Sequence, residues 1–385
     1  MAVTLIDSPQ AYMPVYNQIV WSVNSSNKTL CNFKYVCDVY VNGSYITRLK
    51  LFPAGVNGYA SFKVNRVLED YVSKNLHAGL YGFATNASSI CSYQLKFGEE
   101  YDNSVGCISG TVVYPNLLVG STQYAFNMAV QYRDWPTYNS ATYSAYYSIA
   151  VMGAKGKHYL TNAPSTTMIG MGQECVVNML NLDANVIKYA FIEVYDNTGY
   201  LLTSGRITNP YVAVSTTAEK ILSFGTGPDN INNATLSYGT QPLITPVADY
   251  YVVSFLNTAF GTETPYIRYD MDKRTSKWEP KRLWWLNRLG GYDSYAYTMM
   301  DKKIVSTTKT EMSKLMGALN ATPHWTYSIG DRGRTVMSVD AKQANTYTSN
   351  WLTELEAKWQ EELFTSPDVY LSDVQKQIET GLHSV

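Results

Sequence analysis

The clearest structural signal in the sequence lies at residues 33–51, which are FKYVCDVYVNGSYITRLKL. Every second residue from Phe33 to Val39 is apolar or aromatic, and this period of two is typical of a β-strand. Asn42-Gly43 ends the alternation, and this dipeptide is a strong hairpin signal. The stretch therefore predicts two antiparallel strands joined by a short turn.

The length of that turn determines which side chains of the hairpin share a face. A two-residue turn would mix the faces, whereas a three-residue loop from Val41 to Gly43 pairs Tyr40 with Ser44. Because a slip of one residue moves every side chain to the opposite face, we predict the three-residue loop, with Gly43 left-handed in a bulge. This register places four residues of the second strand on the apolar face of the first: Tyr45, Thr47, Leu49 and Leu51.

The composition of the whole chain agrees with a β-rich fold. Its 385 residues include 33 tyrosines, 8 tryptophans and 11 phenylalanines, and aromatic side chains pack well on half-buried β surface. A chain of this length exceeds the usual size of one hydrophobic core, so two or three domains are expected. We predict a mainly β protein with two β-sandwich-like domains, a few short packed helices and a C-terminal helix.

Changes in pattern along the chain predict four regions. Residues 1–130 are expected to form an N-terminal β-sandwich with one helix, which ends near Asn75 and has apolar residues at helical spacing: Val64, Val67, Leu68, Tyr71 and Val72. Residues 131–165 are a tyrosine-rich crossover. Residues 166–305 form a second β domain, and residues 306–385 form a C-terminal extension.

Two turn signals lie inside the second β domain. Asp196-Asn197-Thr198-Gly199 follows a strand-like segment and predicts a hairpin turn. Gly290-Gly291 separates residues 281–289 from residues 292–300, and glycine permits a tight turn with positive φ. Both segments therefore predict hairpins.

The C-terminal extension contains a strong helix-start signal. Thr353 and Glu356 have the spacing of a capping box, in which each side chain bonds the backbone N–H of the other residue. We predict a helix over residues 353–364 with an apolar stripe: Leu352, Leu355, Trp359 and Leu363. Pro367 ends this helix, and Val369-Tyr370-Leu371 predicts a short strand.

Charge and cysteine content argue against several classes of protein. The net charge of −1 predicts no general attraction to nucleic acid or acidic membranes. The five cysteines include no CxxC pair, and we interpret them as mostly buried thiols of a protein assembled in a reducing compartment: Cys31, Cys37, Cys91, Cys107 and Cys175. No signal-peptide pattern or long apolar window is present, so we expect no signal peptide and no membrane span.

The sequence predicts no catalytic site, metal site or cofactor. The four histidines are far apart, and no HExxH, Cys/His cluster or GxSxG motif is present. Glycoside hydrolysis requires two carboxylates, and the candidates lie among basic residues, which favours ion-paired surface loops: Asp270, Asp272 and Glu279. We therefore predict that the protein is not an enzyme and rank a carbohydrate-degrading activity last.

A basic cluster surrounds those carboxylates. It consists of Lys273, Arg274, Lys277, Lys281 and Arg282. If many copies of the chain formed a ring, these residues would be candidates to line a channel for nucleic acid. The alternative is a solvated or interface loop, which the overall neutrality favours.

Tyrosines are dense between Tyr132 and Tyr147. Tyrosine and tryptophan seal protein interfaces or stack on sugars, because their rings are rigid and amphipathic. We predict a subunit interface that includes Tyr143, Tyr146 and Tyr147. Ordinary β packing and sugar binding are the alternatives.

Four segments of the sequence carry a resemblance to a known family. Two are long: WWLNRLGGYDSY at 284–295 and SNWLTELEAKWQEELFTSPDVYL at 349–371. Two shorter ones lie near the N-terminus: SPQAYMPVYN at 8–17 and NFKYV at 32–36. These segments resemble virion proteins of tailed phages that infect Bacteroidetes. The similarity touches both ends of the chain, and it is greatest to the tail and ring proteins of crAss-like phages.

This resemblance implies a structural protein of the virion, assembled in the cytoplasm of the host bacterium. Ring proteins of such phages stack between portal and distal tail as twelve-fold collars around the DNA channel. The expected partners are further copies of the chain, the portal and other tail or ring proteins, with non-specific contact to packaged DNA. A receptor-binding or head-fibre protein that recognises host glycans is the alternative.

The two long segments supply further interface candidates. Trp284, Trp285 and Leu286 are consecutive, so they cannot all face one core, and at least one should meet another element or subunit. Asn287 and Arg288 would hydrogen-bond across such a contact. The alternative is an internal hairpin that docks on its own domain. Two further candidates lie at the C-terminal helix: Trp351 and Trp359.

Overall fold

The computed structural model describes residues 3–73, 76–77, 79–102, 112–113, 118–140, 159–181, 187–211, 220–262, 264–274, 277–321, 324–373 and 383–384. The chain is mainly β, as predicted, with 26 strands and three α-helices within these residues. It divides into two compact units. The first contains Met1–Thr275, Arg282–Ala296 and Leu352–Val385, and the second contains Ser276–Lys281 and Tyr297–Trp351.

Eleven strands of the first unit come from the N-terminal part of the chain. They are β1 (Val3–Asp7), β2 (Tyr12–Pro14), β3 (Val20–Ser25), β4 (Cys31–Val41), β5 (Ser44–Leu51), β6 (Ala60–Lys63), β7 (Phe83–Thr85), β8 (Ile90–Asp102), β9 (Val112–Val113), β10 (Leu118–Val119) and β11 (Gln123–Phe126). One sheet has the order β1-β3-β6. A larger sheet has the order β2-β11-β8-β4-β5, and β9 and β10 also pair with β8.

These two sheets share one hydrophobic core, which makes them a sandwich. Trp21 and Phe62 from the smaller sheet both contact Phe97 of β8, with ring centroids 5.7 and 5.9 Å apart. All three side chains are at most 1% exposed. Burial of aromatic side chains of this size is a main source of stability, about 2–3 kcal/mol for each.

The β4–β5 hairpin corrects the predicted turn. Asn42 and Gly43 both have positive φ, and Val41 pairs directly with Ser44, so the turn has two residues. The bulge lies in β5, where Ile46 is the extra residue opposite the step from Val39 to Tyr40. It restores the predicted face for three residues, Thr47, Leu49 and Leu51, whereas Tyr45 pairs with Tyr40 on the other face.

The predicted helix near Val64 is shorter than expected. The α-helix α1 covers only Asn65–Glu69, and its C-cap is Asp70. Val64 and Leu68 are fully buried. These two apolar residues of the predicted helix therefore do pack in the first core. Asn75, the predicted end, lies outside the described residues.

A second sandwich follows in the first unit. Its strands are β12 (Thr166–Gly170), β13 (Val176–Leu180), β14 (Tyr189–Tyr195), β15 (Leu201–Thr208), β16 (Ile221–Gly225), β17 (Tyr250–Leu256) and β18 (Ile267–Asp272). The sheets have the orders β12-β18-β17-β14-β15 and β13-β16-β7. Their shared core includes Phe224 and Phe255, whose rings lie 5.4 Å apart.

The predicted turn at Asp196 is confirmed. Oδ1 of Asp196 accepts hydrogen bonds from the backbone of Thr198 and Tyr200, each 2.8 Å long, and Gly199 has a φ of 82°. These bonds lower the pKa of Asp196, with the Thr198 hydroxyl as the largest cause. A short helix, α2 (Pro228–Asn232), lies between β16 and β17.

A fifth sheet of the first unit joins the second β region to the C-terminal segment. Its order is β20-β19-β25-β26, formed by β19 (Lys281–Leu286), β20 (Tyr292–Tyr297), β25 (Val369–Asp373) and β26 (His383–Ser384). The predicted strand after Pro367 is therefore present. The predicted tight turn is also present, since Gly290 has a φ of 86°.

The C-terminal helix α3 covers Glu354–Thr365. The capping box is confirmed, because the Glu356 backbone N–H donates to Thr353 Oγ1 at 3.2 Å and the Thr353 N–H donates to Glu356 Oε2 at 2.8 Å. Of the predicted apolar stripe, Trp359 is buried, whereas Leu355 is 68% exposed. The stripe is therefore narrower than expected.

Two 3₁₀ helices, Ala87–Ser89 and Trp135–Thr137, complete the first unit's regular structure among the described residues. The domain boundaries drawn from the sequence stay a prediction. The strand β7 precedes residue 130 in the chain but pairs with β16 of the second sandwich.

Three of the described cysteines are free thiols and one is not, where mostly buried thiols were expected. Cys31 at the start of β4 is disulfide-bonded, and its partner lies outside the described residues. Cys37 and Cys91 are buried free thiols, as expected, and Cys175 is a half-buried one. Burial raises the pKa of Cys91 to about 12 and that of Cys37 further, so neither is a reactive thiolate at neutral pH.

Candidate assembly arm

The second compact unit is dominated by a long two-stranded ribbon. The strands β21 (Lys302–Ser313) and β24 (Arg334–Thr346) pair antiparallel from Lys302↔Thr346 to Ser313↔Arg334. At about 3.4 Å per residue, 12 residues extend over roughly 40 Å. We call this pair of strands the ribbon, residues 314–333 the tip, and both together the arm.

All residues of the ribbon are exposed, those on one face of the paired strands as well as those on the other. Threonine and the other β-branched side chains favour the extended backbone. The pairing has a bulge at Met337, which is the extra residue opposite the step from Thr310 to Glu311 and is 72% exposed. A two-stranded ribbon with no buried face is marginal in water. The ribbon therefore lacks, within the described residues, the packing that normally stabilises a sheet.

The tip is an ordered apolar structure. Its strands β22 (Ala318–Leu319) and β23 (Trp325–Thr326) pair, and the Trp325 indole donates to the Met316 carbonyl at 2.8 Å. Gly317 has a φ of 87°, and a Cβ there would lie 2.4 Å from the Thr326 carbonyl oxygen. Six large apolar side chains are exposed here, from 42% to 109%: Leu315, Met316, Leu319, Trp325, Tyr327 and Ile329.

Charge distinguishes the arm from the rest of the chain. Residues 302–346 contain seven lysines and arginines but only three carboxylates, so their net charge is +4. Since the whole chain has a net charge of −1, the remaining residues carry −5. Opposite charge on two surfaces favours their association and speeds encounter.

The start of the arm is anchored by aromatic packing. The rings of Tyr297 and Tyr347 lie 6.3 Å apart, and the Met299 backbone N–H donates to the Thr348 carbonyl at 3.2 Å. Tyr297 is 8% exposed, and burial raises the pKa of Tyr347. Burial is therefore greatest where the arm begins, and exposure of apolar groups is greatest at its tip.

The tryptophans predicted to meet another element do so within the first unit. Trp284 and Trp285 are both fully buried. Trp284 packs with Leu286 in a small core, whereas the ring of Trp285 lies 5.1 Å from that of Trp359 on α3. This matches the intramolecular alternative for the hairpin. A contact of the hairpin with a neighbouring subunit stays a prediction.

The polar residues of the same hairpin also have partners in their own unit. Asn287 is 2% exposed, and its Nδ2 donates to the Leu160 carbonyl at 2.8 Å while Oδ1 accepts from the backbone of Leu289. Arg288 Nε lies 3.3 Å from Glu362 Oε1. Asn287 therefore organises the turn.

The remaining aromatic candidates divide into exposed, buried and undescribed residues. Trp351 is 98% exposed and Tyr132 is 92% exposed, whereas Tyr138 is 8% exposed. The other predicted interface residues lie outside the described residues: Tyr143, Tyr146 and Tyr147.

The predicted ion pairs around the three candidate carboxylates are present. They join Arg268 to Asp270 at 2.7 Å, Arg274 to Asp272 at 2.8 Å and Lys281 to Glu279 at 2.7 Å. The Arg274 guanidinium also lowers the pKa of Asp272 through its hydrogen bonds. The predicted ion pairs are therefore present, but the predicted loops are wrong for most of these residues, because Asp270 and Asp272 lie in β18 and Lys281 begins β19.

The other basic candidates have different environments. Lys273 pairs with Asp249 at 2.9 Å, and the Lys277 ammonium lies 5.5 Å from the centre of the Trp278 ring. Arg282 is only 3% exposed, so it does not face solvent. Contact of the exposed members with DNA stays a prediction.

The arm was missed in the sequence because its strands carry no apolar alternation. The signal that was available is local: β-branched residues are frequent over 304–310 and 335–339, and glycines cluster at 330 and 333. These features predict strands and a turn. They do not predict that both faces remain exposed.

The described part of the chain contains neither a candidate metal site nor a candidate membrane-spanning helix. It contains no group of three or more histidine, cysteine, aspartate or glutamate residues that could hold a metal ion. No helix among the described residues is long and apolar enough to cross a bilayer.

Comparisons with known proteins give little further information. No protein-family model matches the chain, and no curated protein matches it. Among solved structures, the chain is similar to one described as "Biofilm associated protein - BSP domain", at 8% sequence identity. The match covers 96% of this chain and 62% of that chain with a TM-score of 0.16, which is too low to support an argument about fold or function.

Proposed function

We propose that this protein is a non-enzymatic structural component of a tailed-phage virion, which forms a homo-oligomeric ring in the neck or tail around the DNA channel. The observation that carries this proposal is the arm, which has an exposed ribbon and an apolar tip. Soluble monomers rarely expose clustered apolar side chains, and such patches usually mark interaction sites. An assembling subunit would bury them against a neighbour.

The geometry of the ribbon supports assembly in a second way. Among the described residues, each ribbon strand pairs with one neighbour, so each presents there an open edge of backbone N–H and C=O groups. Such edges are templates for pairing with another chain. A ring requires heterologous contacts, in which one surface of a subunit binds a different surface of the next. The arm has a net charge of +4 and the remaining residues together have −5, so charge attraction between the arm of one copy and the rest of the next would favour such contacts.

The position in the virion rests on the sequence resemblance alone. In this proposal the partners are other copies of the chain, the portal and further tail or ring proteins, with twelve copies in the ring. The exposed lysines and arginines near residue 273 would be the groups closest to passing DNA.

Mass photometry and negative-stain microscopy of the purified full chain test the assembly. We expect ring-shaped particles many times the 43.2 kDa mass of one chain, with a central channel. The triple variant Leu315→Ser, Tyr327→Ser, Ile329→Ser removes the most exposed apolar groups of the tip. Because these side chains are 71–109% exposed, the monomer should fold normally but fail to assemble.

A matched control removes similarly exposed apolar groups outside the arm and outside the predicted tyrosine-rich interface. Val56→Ser with Tyr200→Ser changes side chains that are 105% and 70% exposed, and we expect this variant to assemble as the wild type does. A full chain that remains monomeric at all concentrations, and is absent from purified phage particles by mass spectrometry, would contradict the proposal.

A further inference from the structure

A concave aromatic site lies on the outer face of the larger sheet of the second sandwich. Its volume is about 580 Å³, within the range of about 300–1,000 Å³ that is usual for small-ligand sites. The floor is formed by outward-facing residues of β14, β15 and β17, which include Phe191, Glu193, Ser204 and Ser254. We call this concavity the aromatic groove. All of it belongs to the first compact unit.

Two rings flank the groove, and a guanidinium lies against both. The central carbon of the Arg206 guanidinium is 4.8 Å from the centre of the Tyr238 ring and 4.4 Å from that of the Phe260 ring, within cation–π distance. Phe260 also stacks on Tyr189, with ring centroids 5.2 Å apart. Tyr238 and Phe260 are nevertheless 53% exposed each. The groove therefore presents two aromatic side chains that are held in place yet open to solvent.

The loop that carries Phe260 holds this residue in a strained backbone conformation. Phe260 has a φ of 63°, which is rare for a bulky residue. Asn257 fixes the loop, because its Oδ1 accepts hydrogen bonds from the backbone of Ala259 at 2.8 Å and of Gly261 at 2.9 Å. Glycine would adopt this conformation without strain, yet the chain has phenylalanine here. Strain of this kind clusters at functional sites, where it positions a side chain in advance.

The loop of Tyr238 is fixed to the strand that carries Arg206. The Arg206 backbone N–H donates to the Tyr238 carbonyl at 3.0 Å, and the Ser237 N–H donates to the Arg206 carbonyl at 2.7 Å. Gly239 has a φ of +102°, and a Cβ there would lie 2.8 Å from the Ser204 carbonyl oxygen. Both walls of the groove are therefore formed before a ligand arrives, which limits the ordering cost of binding.

The polar groups of the groove are available to a ligand. Arg206 lines the groove, and within the described part of the chain its guanidinium has neither an ion pair nor a hydrogen bond. None of its nitrogen atoms is fully buried, so they face solvent in the free chain. The hydroxyl groups of Ser204 and Ser254 likewise form no hydrogen bond with the described residues.

These groups identify the class of ligand. A guanidinium only donates hydrogen bonds and an ionised carboxylate only accepts them, so a ligand that contacts Arg206 and Glu193 must do both. These two are the only charged residues among the described lining residues, and their charges cancel, which disfavours an ionic ligand. A sugar meets both requirements, because each hydroxyl donates and accepts and the C–H face of the ring packs on an aromatic ring.

We propose that the aromatic groove binds a neutral saccharide, whose ring packs against Tyr238 and Phe260 and whose hydroxyls bond Arg206 and Glu193. A wholly apolar partner is disfavoured, since it would bury these two charged groups without hydrogen-bond partners. The inference goes beyond the proposed assembly and does not rest on it, because every residue of the groove lies in the second sandwich and none in the arm.

An array of neutral and acidic glycans, probed with the full chain, tests the proposal. We expect the chain to retain at least one neutral glycan, and that glycan should bind saturably in calorimetry or ligand-observed NMR. Because the ligand forms no ion pair, its Kd should change less than about twofold between about 50 mM and 500 mM salt.

Phe260→Gly locates the site. It removes the ring, and glycine adopts the positive φ without strain, so the melting temperature should stay the same or rise. Binding of the retained glycan should weaken at least about tenfold, whereas Phe260→Tyr keeps an aromatic ring and should bind normally. Arg206→Lys keeps the charge but loses the planar fork, and should also weaken binding. The control is Tyr200→Ala, which changes a tyrosine that is 70% exposed just before β15 and should leave binding unchanged.

Several results would overturn the proposal. They are the retention of no glycan, the retention of acidic glycans only, unchanged binding by Phe260→Gly, or an equal loss of binding in Phe260→Gly and Tyr200→Ala. Loss of binding in Tyr132→Ala but not in Phe260→Gly would also overturn it, because the sugar site would then lie in the tyrosine-rich segment. Phe260→Gly should assemble as the wild type does in mass photometry, which separates this test from that of the arm.

Discussion

The indole nitrogen of Trp359 donates a hydrogen bond to Oδ2 of Asp293 at 2.7 Å, and both side chains are at most 6% exposed. Trp359 belongs to α3 and Asp293 to β20. The same indole ring contacts Trp285 of β19. One side chain therefore joins the C-terminal helix to the hairpin through packing and through a polar contact.

Asp293 makes the stability of the first unit depend on pH. Burial raises the pKa of Asp293 from 3.8 to about 7, so between about pH 4 and pH 7 the folded protein keeps a proton that the unfolded chain releases. The stabilisation is complete below the unfolded pKa and is lost as pH rises through the folded pKa. Over that window the free energy of unfolding should fall by up to about 4 kcal/mol.

Asp293→Asn is the variant that tests this dependence. Asparagine resembles the protonated acid, so urea unfolding at pH 5 to 8 should give a flatter profile and a more stable protein at pH 8 than the wild type. Asp301→Asn, at an exposed position, should leave the profile unchanged. A wild-type profile that rises between pH 5 and pH 8 would show that another group dominates.

Gly290 should tolerate no side chain. Its φ is +86°, and a Cβ would lie 1.6 Å from the Asn127 carbonyl oxygen, so Gly290→Ala combines left-handed strain with a backbone clash. We expect a loss of more than about 3 kcal/mol in the free energy of unfolding. Gly172 has a φ of +73° with open space around it, and Gly172→Ala should cost only about 1–2 kcal/mol. Thermal or urea unfolding compares the two, and equal losses would refute the role of the clash.

The Arg48–Asp38 pair should contribute to the stability of the first sandwich. Nε and Nη2 of Arg48 donate to the two carboxylate oxygens of Asp38 at 2.6 and 2.8 Å, and the Asp38 side chain is 4% exposed. Arg48→Met leaves a buried carboxylate without this partner, which should cost about 2–3 kcal/mol, below the full range for buried pairs because Arg48 is partly exposed.

The control for that measurement is a surface pair in the same sandwich. Arg66 lies 3.1 Å from Glu69, and its side chain is 84% exposed. Arg66→Met should change the free energy of unfolding by less than about 1 kcal/mol. A similar loss in both variants would mean that bidentate geometry and burial have no special effect here.

The ribbon should be the least stable sheet of the free chain. Its residues are exposed on both faces, so local opening disrupts few buried contacts. In hydrogen exchange of dilute monomer, amides of β21 and β24 should exchange much faster than those of β4 and β8. Assembly should protect them. Protection of the ribbon in the monomer equal to that of β4 would argue that it is stable alone.

Local signals in the sequence predicted local structure well. The capping box at Thr353 and the turn at Gly290 are correct because each depends on residues close in the chain. The β4–β5 turn was misassigned because the bulge at Ile46 is set by pairing across the sheet. The helix beginning at Asn65 ends early although the apolar spacing continues.

The sites could not be predicted in the same way. Arg282 and Gln173, whose side chains share a hydrogen bond, are 109 residues apart in the chain, and their contact depends on the packing of separate sheets. The ribbon was missed for the opposite reason, since no part of the chain that the structure describes covers it and its strands show no apolar face. Consecutive Trp284 and Trp285 correctly indicated contact with a second element, because side chains of neighbouring strand residues point to opposite faces.

The open edges of the ribbon also bear on how the protein is made. A bare strand edge does not discriminate between a sister chain and any other extended peptide, so in the proposed assembly newly synthesised copies would be vulnerable to mispairing until a neighbour arrives. The lysines along β21 at positions 302, 303 and 309 are the kind of residue that slows such errors. If copies assemble as proposed, the yield of native protein should therefore depend on the rate of synthesis relative to the rate at which copies find each other.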